Sequence, residues 1–169
     1  SKLGKKWKLE YSLSLKYPFF AGVISRISAG LDVHQAIKIL SSDFQSDQNS
    51  IKDLLDILLE HRMIGIKDNS YFLKTPHCFD SRSDFKINKH LQTYWTQNAL
   101  KKLEQYNDYS KRSFFNYSLM NLSDHAYEEI CKEYSIFYSK VRTIAAEDKG
   151  LKNSMHSMTL QFVDFYENK

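Results

Sequence analysis

The sequence predicts an α+β fold in two successive halves, and three observations lead there. Between residues 17 and 59, apolar residues recur at helical spacing in three separate stretches. "MIGIKDNSYFLKT" (63–75) then brackets a polar turn with two short apolar-rich runs, as a hairpin does. Further on, Tyr127, Ile130, Tyr134, Phe137, Val141 and Ile144 alternate by three and four, the strongest periodic signal in the chain.

The first helix is expected in "YPFFAGVISRI", where Phe20, Val23, Ile24 and Ile27 share a face. Gly30 is a natural stop for it, and Asp32 can cap the next helix. "LDVHQAIKIL" repeats the pattern through Val33, Ala36, Ile37 and Leu40, and "SSDFQSDQ" reads as a turn. Ser50 with Asp53 resembles a capping box, and Ile51, Leu54, Leu55, Leu58 and Leu59 line one face of a third helix. In the hairpin, Asp68, Asn69 and Ser70 tolerate turn geometry, while Ile64, Ile66, Tyr71 and Leu73 favour strands. Three helices followed by a two-stranded wing is the order of a winged helix-turn-helix.

Pro76 opens a polar connector. "INKHLQTYWTQNALKKLEQY" predicts a helix with Leu91, Tyr94, Trp95, Ala99, Leu100 and Leu103 toward a core. "SFFNYSLMNL" reads as a strand, and Ser123 with Asp124 opens the long helix. That helix suits packing on a sheet, with a coiled-coil seam as the alternative. "MHSMTLQFVDFY" reads as a closing strand with Met158, Leu160 and Phe162 on one face. The expected organisation is a winged-helix-like domain with a basic N-terminal segment over 1–76, a connector over 77–86, and an α+β domain over 87–169. The second domain is a small sheet with helices in the order helix, strand, long helix, strand.

Composition narrows the function classes. The 169 residues are 42% hydrophobic and 26% charged, with 11 Tyr, 11 Phe, 5 Gly and 2 Pro, the balance of a core-forming globular chain rather than a disordered one. No apolar run approaches the ~20 residues of a membrane helix, and "SKLGKKWKLE" lacks the apolar stretch of a secretory signal. Cys78 and Cys131 lie far apart without a CxxC, which fits a cytoplasmic protein better than a disulfide framework. The start without Met is expected of a piece of a longer protein. Net charge is +4, and the first 30 residues carry much of it: Lys2, Lys5, Lys6, Lys8, Lys16 and Arg26 against Glu10. The simpler reading of that basic start is a solubilising, partly frayed terminus; the sharper one is a phosphate-facing arm or the end of a linker from an upstream domain.

A DNA-reading winged helix presents the first turns of its third helix to the groove. Gln45, Ser46, Gln48, Asn49 and Lys52 would stand there, with Lys67 and Lys74 as clamps on the wing. Against this, residues 45–75 hold four basic side chains and five acidic ones, a net charge of −1. Asp53 and Asp56 share the polar face and repel phosphate. The expectation is a structural or protein-contacting winged helix.

Other chemistry is thinly represented. No GxSxG, P-loop or GxGxxG appears, so no enzyme is expected and no catalytic residue or cofactor is assigned. His34, His61, His77, His90, His125 and His156 show no metal-ligand spacing, and Cys131 reads as a buried small apolar residue. Asp124, Glu128, Glu129 and Glu133 crowd the start of the long helix, where the helix dipole favours acids. Tyr106, Tyr109, Phe114, Phe115 and Tyr117, near Lys111 and Arg112, suit core packing; a base-stacking or small-ligand pocket is the alternative.

Together these segments resemble the C-terminal portion of a family of bacterial transcriptional regulators, carried in many copies by predatory bacteria. In that family a domain of unknown function follows an N-terminal helix-turn-helix. "WKLEYSLSLKYPFFAGVISRI" is similar to its opening aromatic helix, and "IKDLLDILLEHRMIGIKDNSYFLKT" to its winged-helix segment. "LMNLSDHAYEEICKEYSIFYSKVRTIAAED" is similar to its strand and long helix, and "HSMTLQFVDF" to its closing strand. The sequence departs from the pattern at Met63, where the family has Gly, and at Val163-Asp164, where it has Phe-Pro. The resemblance implies a non-enzymatic regulatory or interaction region that dimerises or couples a signal to an upstream DNA-binding domain. Its partners would be a second copy or another protein, with DNA held by an N-terminal domain outside this sequence. The alternatives are direct DNA binding through the winged helix and a small-ligand sensor domain.

Overall fold

The computed structural model describes residues 2–75, 84–105, 118–150 and 156–162. It is a mixed α+β chain: the described residues form six helices and one three-stranded antiparallel sheet. By contacts it separates into two compact units, residues 1–105 with 152–169, and residues 106–151.

The first unit opens with α1 (Lys2–Lys16). The basic start is therefore helical rather than frayed. Leu13 and Ser14 are buried along it, and so is Glu10, which Lys6 approaches to 3.7 Å. Those buried positions give α1 a seat against the rest of the unit that its charge pattern conceals. α2 (Phe20–Ser28) buries Phe20, Val23, Ile24 and Ile27, the face the spacing predicts. It ends at Ala29, and Gly30 follows with φ +89°, a conformation glycine adopts without a Cβ clash. Next comes a short strand the periodicity did not indicate, β1 (Leu31–Asp32).

α3 spans Ala36–Phe44, so Val33 lies ahead of it and "SSDF" belongs to it. The turn is limited to Gln45–Asp47. α4 (Gln48–Glu60) takes Asp47 as its N-cap: the Ser50 amide donates to Asp47 Oδ1 at 2.8 Å and the Ser50 hydroxyl to Oδ2 at 2.6 Å. The cap is thus Asp47 with Ser50, not Ser50 with Asp53, because Asp47 is the residue with extended backbone ahead of the first turn. Ile51, Leu54, Leu55 and Leu58 are buried, as expected.

β2 (Ile64–Lys67) and β3 (Ser70–Leu73) form the hairpin, with Lys67 paired to Ser70. Asp68 and Asn69 both have positive φ, 48° and 62°, as a two-residue type I′ turn requires. β1 pairs with the far side of β3, giving the order β1-β3-β2. One carboxylate ties the sheet to the next helix. Asp32 Oδ1 accepts from the His34 and Gln35 amides, at 2.9 and 3.1 Å, and Oδ2 from Asn69 Nδ2 at 2.8 Å.

α5 (Phe85–Glu104) packs on α1, with Ile87 buried and Tyr94 and Trp95 laid against the core. Trp95 meets the Phe44 ring edge-on at 6.2 Å, and Phe44 stacks on Phe19 at 5.9 Å. Leu100 and Leu103, expected to face a core, are exposed, because the last turns of α5 run past those aromatics. The core of this unit is built from α2, α3, α4 and the hairpin, with each buried Leu, Ile or Phe worth about 1.5–3 kcal/mol relative to exposure.

In the second unit, α6 (Asp124–Glu147) starts where expected, with the Ser123 hydroxyl accepting from the Ala126 amide at 3.3 Å. The sheet expected beside it does not appear among the described residues. Residues 118–122 of this unit and 156–162 of the first unit are irregular, and the remainder of both expected strands lies outside the described residues. An alternating apolar run becomes a strand only when a neighbour offers a hydrogen-bonding edge, and these two stretches have none in the described structure. Cys131 is half-buried rather than buried.

Candidate nucleic-acid interface

The seven candidate residues fall on two elements. Five surround the turn between α3 and α4, and two lie on the hairpin. Gln45 closes α3 in the left-handed region, φ 48° and ψ 41°, and the next amide, Ser46, donates to Ser41 O at 3.2 Å. Gln45 is therefore first a helix terminator, and Ser46 is half-buried in the turn. Gln48 and Asn49 are exposed on the first turn of α4. Both present amide donors and acceptors outward, the chemistry that reads base edges.

Lys52 is the only lysine on α4, and its ammonium is 2.7 Å from Asp56 Oδ2, one helical turn on. The Asp56 hydrogen bond, then its charge, and Asp53 further off hold the Lys52 ammonium above its ordinary range. Both side chains are more than half exposed, so the pair is weak in stability but still occupies the cation. Asp53 and Glu60 are exposed on the same helix. Asp47, at its N-cap, is held below the usual carboxylate range by the Ser50 hydroxyl and then the Ser50 amide, so it is ionised at neutral pH.

Lys67 ends β2 beside Asp68 in the turn. Lys74 follows β3, and its aliphatic stem lies over Gly65, where an added Cβ would meet Lys74 Cε at 2.6 Å. Both ammonium groups are on exposed residues. Among the described residues, no hydrogen bond or ion pair joins the hairpin lysines to the α4 set.

Two charged groups near this surface escape a reading of α4 and the hairpin alone. Lys16, at the end of α1, has its ammonium 4.9 Å from the Tyr17 ring centroid. Tyr17 first, and Asp53 further off, raise its pKa above the ordinary lysine value. Arg26 of α2 holds Asp43 of α3 at 2.9 Å. Both appear only once α1 and α2 are placed, since each lies 17 or more residues from its acidic partner in sequence.

The remaining candidates are quickly placed. Among the described residues no three His, Cys, Asp or Glu side chains converge as a metal site would require. His77 and Cys78 lie outside the described residues, as does the aromatic set Tyr106, Tyr109, Phe114, Phe115 and Tyr117 with Lys111 and Arg112. A depression along α3 is lined by His34, Gln35, Lys38, Ile39, Ser42 and Asp43. It is open, and five of its six lining residues are exposed, so it lacks the enclosure that holds a small ligand. No described helix is long and apolar enough to cross a membrane. Comparison with protein-family models, curated proteins and solved structures finds no match to this chain.

Proposed function

We propose that this chain is the non-enzymatic regulatory and interaction region of a bacterial transcriptional regulator, in which a winged helix serves as framework rather than as DNA reader. The order helix, strand, helix, turn, helix, hairpin, with β1 on the hairpin edge, supports the winged-helix reading. The observation that carries the rest is the closure of Lys52 on Asp56. A helix entering a groove needs cations free for phosphate, because neutralising phosphates supplies most non-specific affinity. On α4 the one cation is occupied, and Asp53, Asp56 and Glu60 repel the backbone. DNA recognition then belongs to an upstream domain, and this region dimerises or relays a signal to it.

Direct reading of DNA is the second possibility, favoured by exposed Gln48 and Asn49 on the first turn of α4 with Lys67 and Lys74 on the wing. A salt-titrated gel shift on genomic DNA fragments separates the two, with Lys52→Glu/Lys67→Glu as the control. The proposal expects no salt-sensitive complex with either chain. Binding by the intact chain that weakens steeply with salt and disappears in the double variant would establish α4 and the wing as a DNA reader.

A further inference from the structure

The 24 residues of α6 include none that is buried. Much of its apolar stripe is exposed: Tyr134 is 43% exposed, Phe137 50% and Ile144 62%, with Ile130 and Val141 half-buried among them. At 1.5 Å per residue the helix is about 36 Å long, and an amphipathic helix gains most of its stability in a protein by packing its apolar face. The stripe also has a definite period. Steps of three and four, repeated without a slip from Tyr127 to Ile144, give 3.5 residues per turn, the seam of a two-stranded coil.

We infer that this stripe binds the α6 of a second copy of the chain, antiparallel, with Glu133 of each copy facing Lys140 of the other. The inference deepens the interaction-region reading above, on which it rests. Its argument is complementarity under a two-fold axis. With the two helices fully overlapped and antiparallel, Tyr127 lies opposite Ile144, Ile130 opposite Val141, and Tyr134 opposite Phe137. Every layer then pairs a residue from one half of the stripe with one from the other, and most of the aromatic bulk meets a branched or offset neighbour. The residues flanking the seam on one side are Ala126, Glu133, Lys140 and Glu147. Antiparallel register sets Glu133 against Lys140 twice, once on each side of the axis. Among the described residues neither Glu133 nor Lys140 has an ion-pair partner within the chain. Lys132 and Glu129 do pair, at 2.6 Å, but on the outer face, away from the seam.

The parallel arrangement lacks these matches. It stacks Tyr127 on Tyr127 and Tyr134 on Tyr134, sets Glu133 beside Tyr138 and Lys140 beside Ala145, and aligns the two helix dipoles. A hydrophobic partner of another kind would need no such self-complementary charge order.

Sedimentation equilibrium on the full chain tests this. The wild type should run at twice its 19.9 kDa chain mass at micromolar concentration. Phe137→Asp should give a monomer. Glu133→Lys should weaken the dimer on the order of tenfold by facing two lysines, and Glu133→Lys/Lys140→Glu should restore it. Mixing the Glu133→Lys chain with a Lys140→Glu chain should yield heterodimers over either homodimer. A monomeric wild type overturns the inference, whether the stripe is covered by the same chain or by a different protein. A dimer indifferent to Phe137→Asp overturns the role of α6 while leaving dimerisation standing. If Phe137→Asp dissociates or unfolds the chain, the charge exchange still decides, and failure to rescue overturns the antiparallel register. The gel shift reads a separate property, so either reading can fail without the other.

Discussion

At the scale of single residues, the turn from α4 into the hairpin shows how a helix closes without a glycine. α4 ends at Glu60, His61 caps it, and Arg62 takes the left-handed conformation at φ 55°. The Arg62 amide donates to Leu59 O at 3.0 Å and the Met63 amide to Leu58 O at 2.9 Å. These are the two hydrogen bonds of a Schellman ending, with buried Met63 packed near buried Leu58 to complete it. Glycine is the usual residue in the left-handed position, and here arginine bears the steric cost of about 1–2 kcal/mol. Arg62→Gly should therefore stabilise the fold by about 1 kcal/mol in urea denaturation. An unchanged or lower midpoint would mean that the arginine side chain contributes more than its backbone costs. The strain at position 62 was not legible in the sequence, because φ is set by where the chain must go next.

At the scale of elements, apolar spacing located α2, α4 and α6 well, and failed where burial is carried by other residue types. α1 is buried partly through Glu10 and Ser14, so its pattern looks like a charged tail. β1 is two residues long, too short for any periodicity. Gly22 is the clearest case. It sits on the buried face of α2, where glycine lowers helix propensity, yet the Phe44 ring occupies the space a side chain would need. An added Cβ would lie 2.5 Å from Phe44 Cε1 and 3.3 Å from the Trp95 ring. Phe44 is wedged between Phe19 and Trp95, so it has little room to yield. Gly22→Ala should gain about 1 kcal/mol in helix propensity and lose more by overpacking, about 1–3 kcal/mol. The expected result is a net loss of about 1 kcal/mol, with a change in Trp95 fluorescence as the ring cluster rearranges. A stabilised variant with unchanged fluorescence would show that Phe44 moves freely.

At the scale of the whole molecule, two tyrosines link stability to alkaline pH. Burial, and then the Asp56 charge, raise the Tyr71 hydroxyl above its ordinary 10.0. Burial raises Tyr94 as well, against a smaller opposing hydrogen bond with Asn98. The unfolded chain releases both protons near the ordinary value while the folded chain retains them. Their contribution is thus intact below about pH 10 and is lost as pH climbs through the raised folded values. Chemical denaturation at pH 9 and pH 11 should show a stability loss across that interval, and Tyr71→Phe/Tyr94→Phe should reduce its slope. An unchanged slope in the double variant would assign the alkaline transition to other groups.

What the sequence determined by itself was the set of elements with a regular, local apolar pattern: α2, α4, the hairpin and α6. Their period is written in the residues, and a helix or hairpin needs only its own hydrogen bonds. Only the tertiary structure decided that the basic start is a helix and that β1 joins β3. It likewise decided that α5 packs with the first unit, and that no strand accompanies α6 among the described residues. Each of these depends on a partner distant in the chain, whether a sheet edge, an aromatic cluster or a carboxylate. The candidate interface divides the same way. Its lysines and amides were legible as residue types on the expected elements, and the acidic excess was countable. That Lys52 is held by Asp56, that Gln45 is a left-handed helix terminator, and that Lys16 sits in the field of Asp53 follow from side-chain geometry and long-range electrostatics, which spacing does not encode.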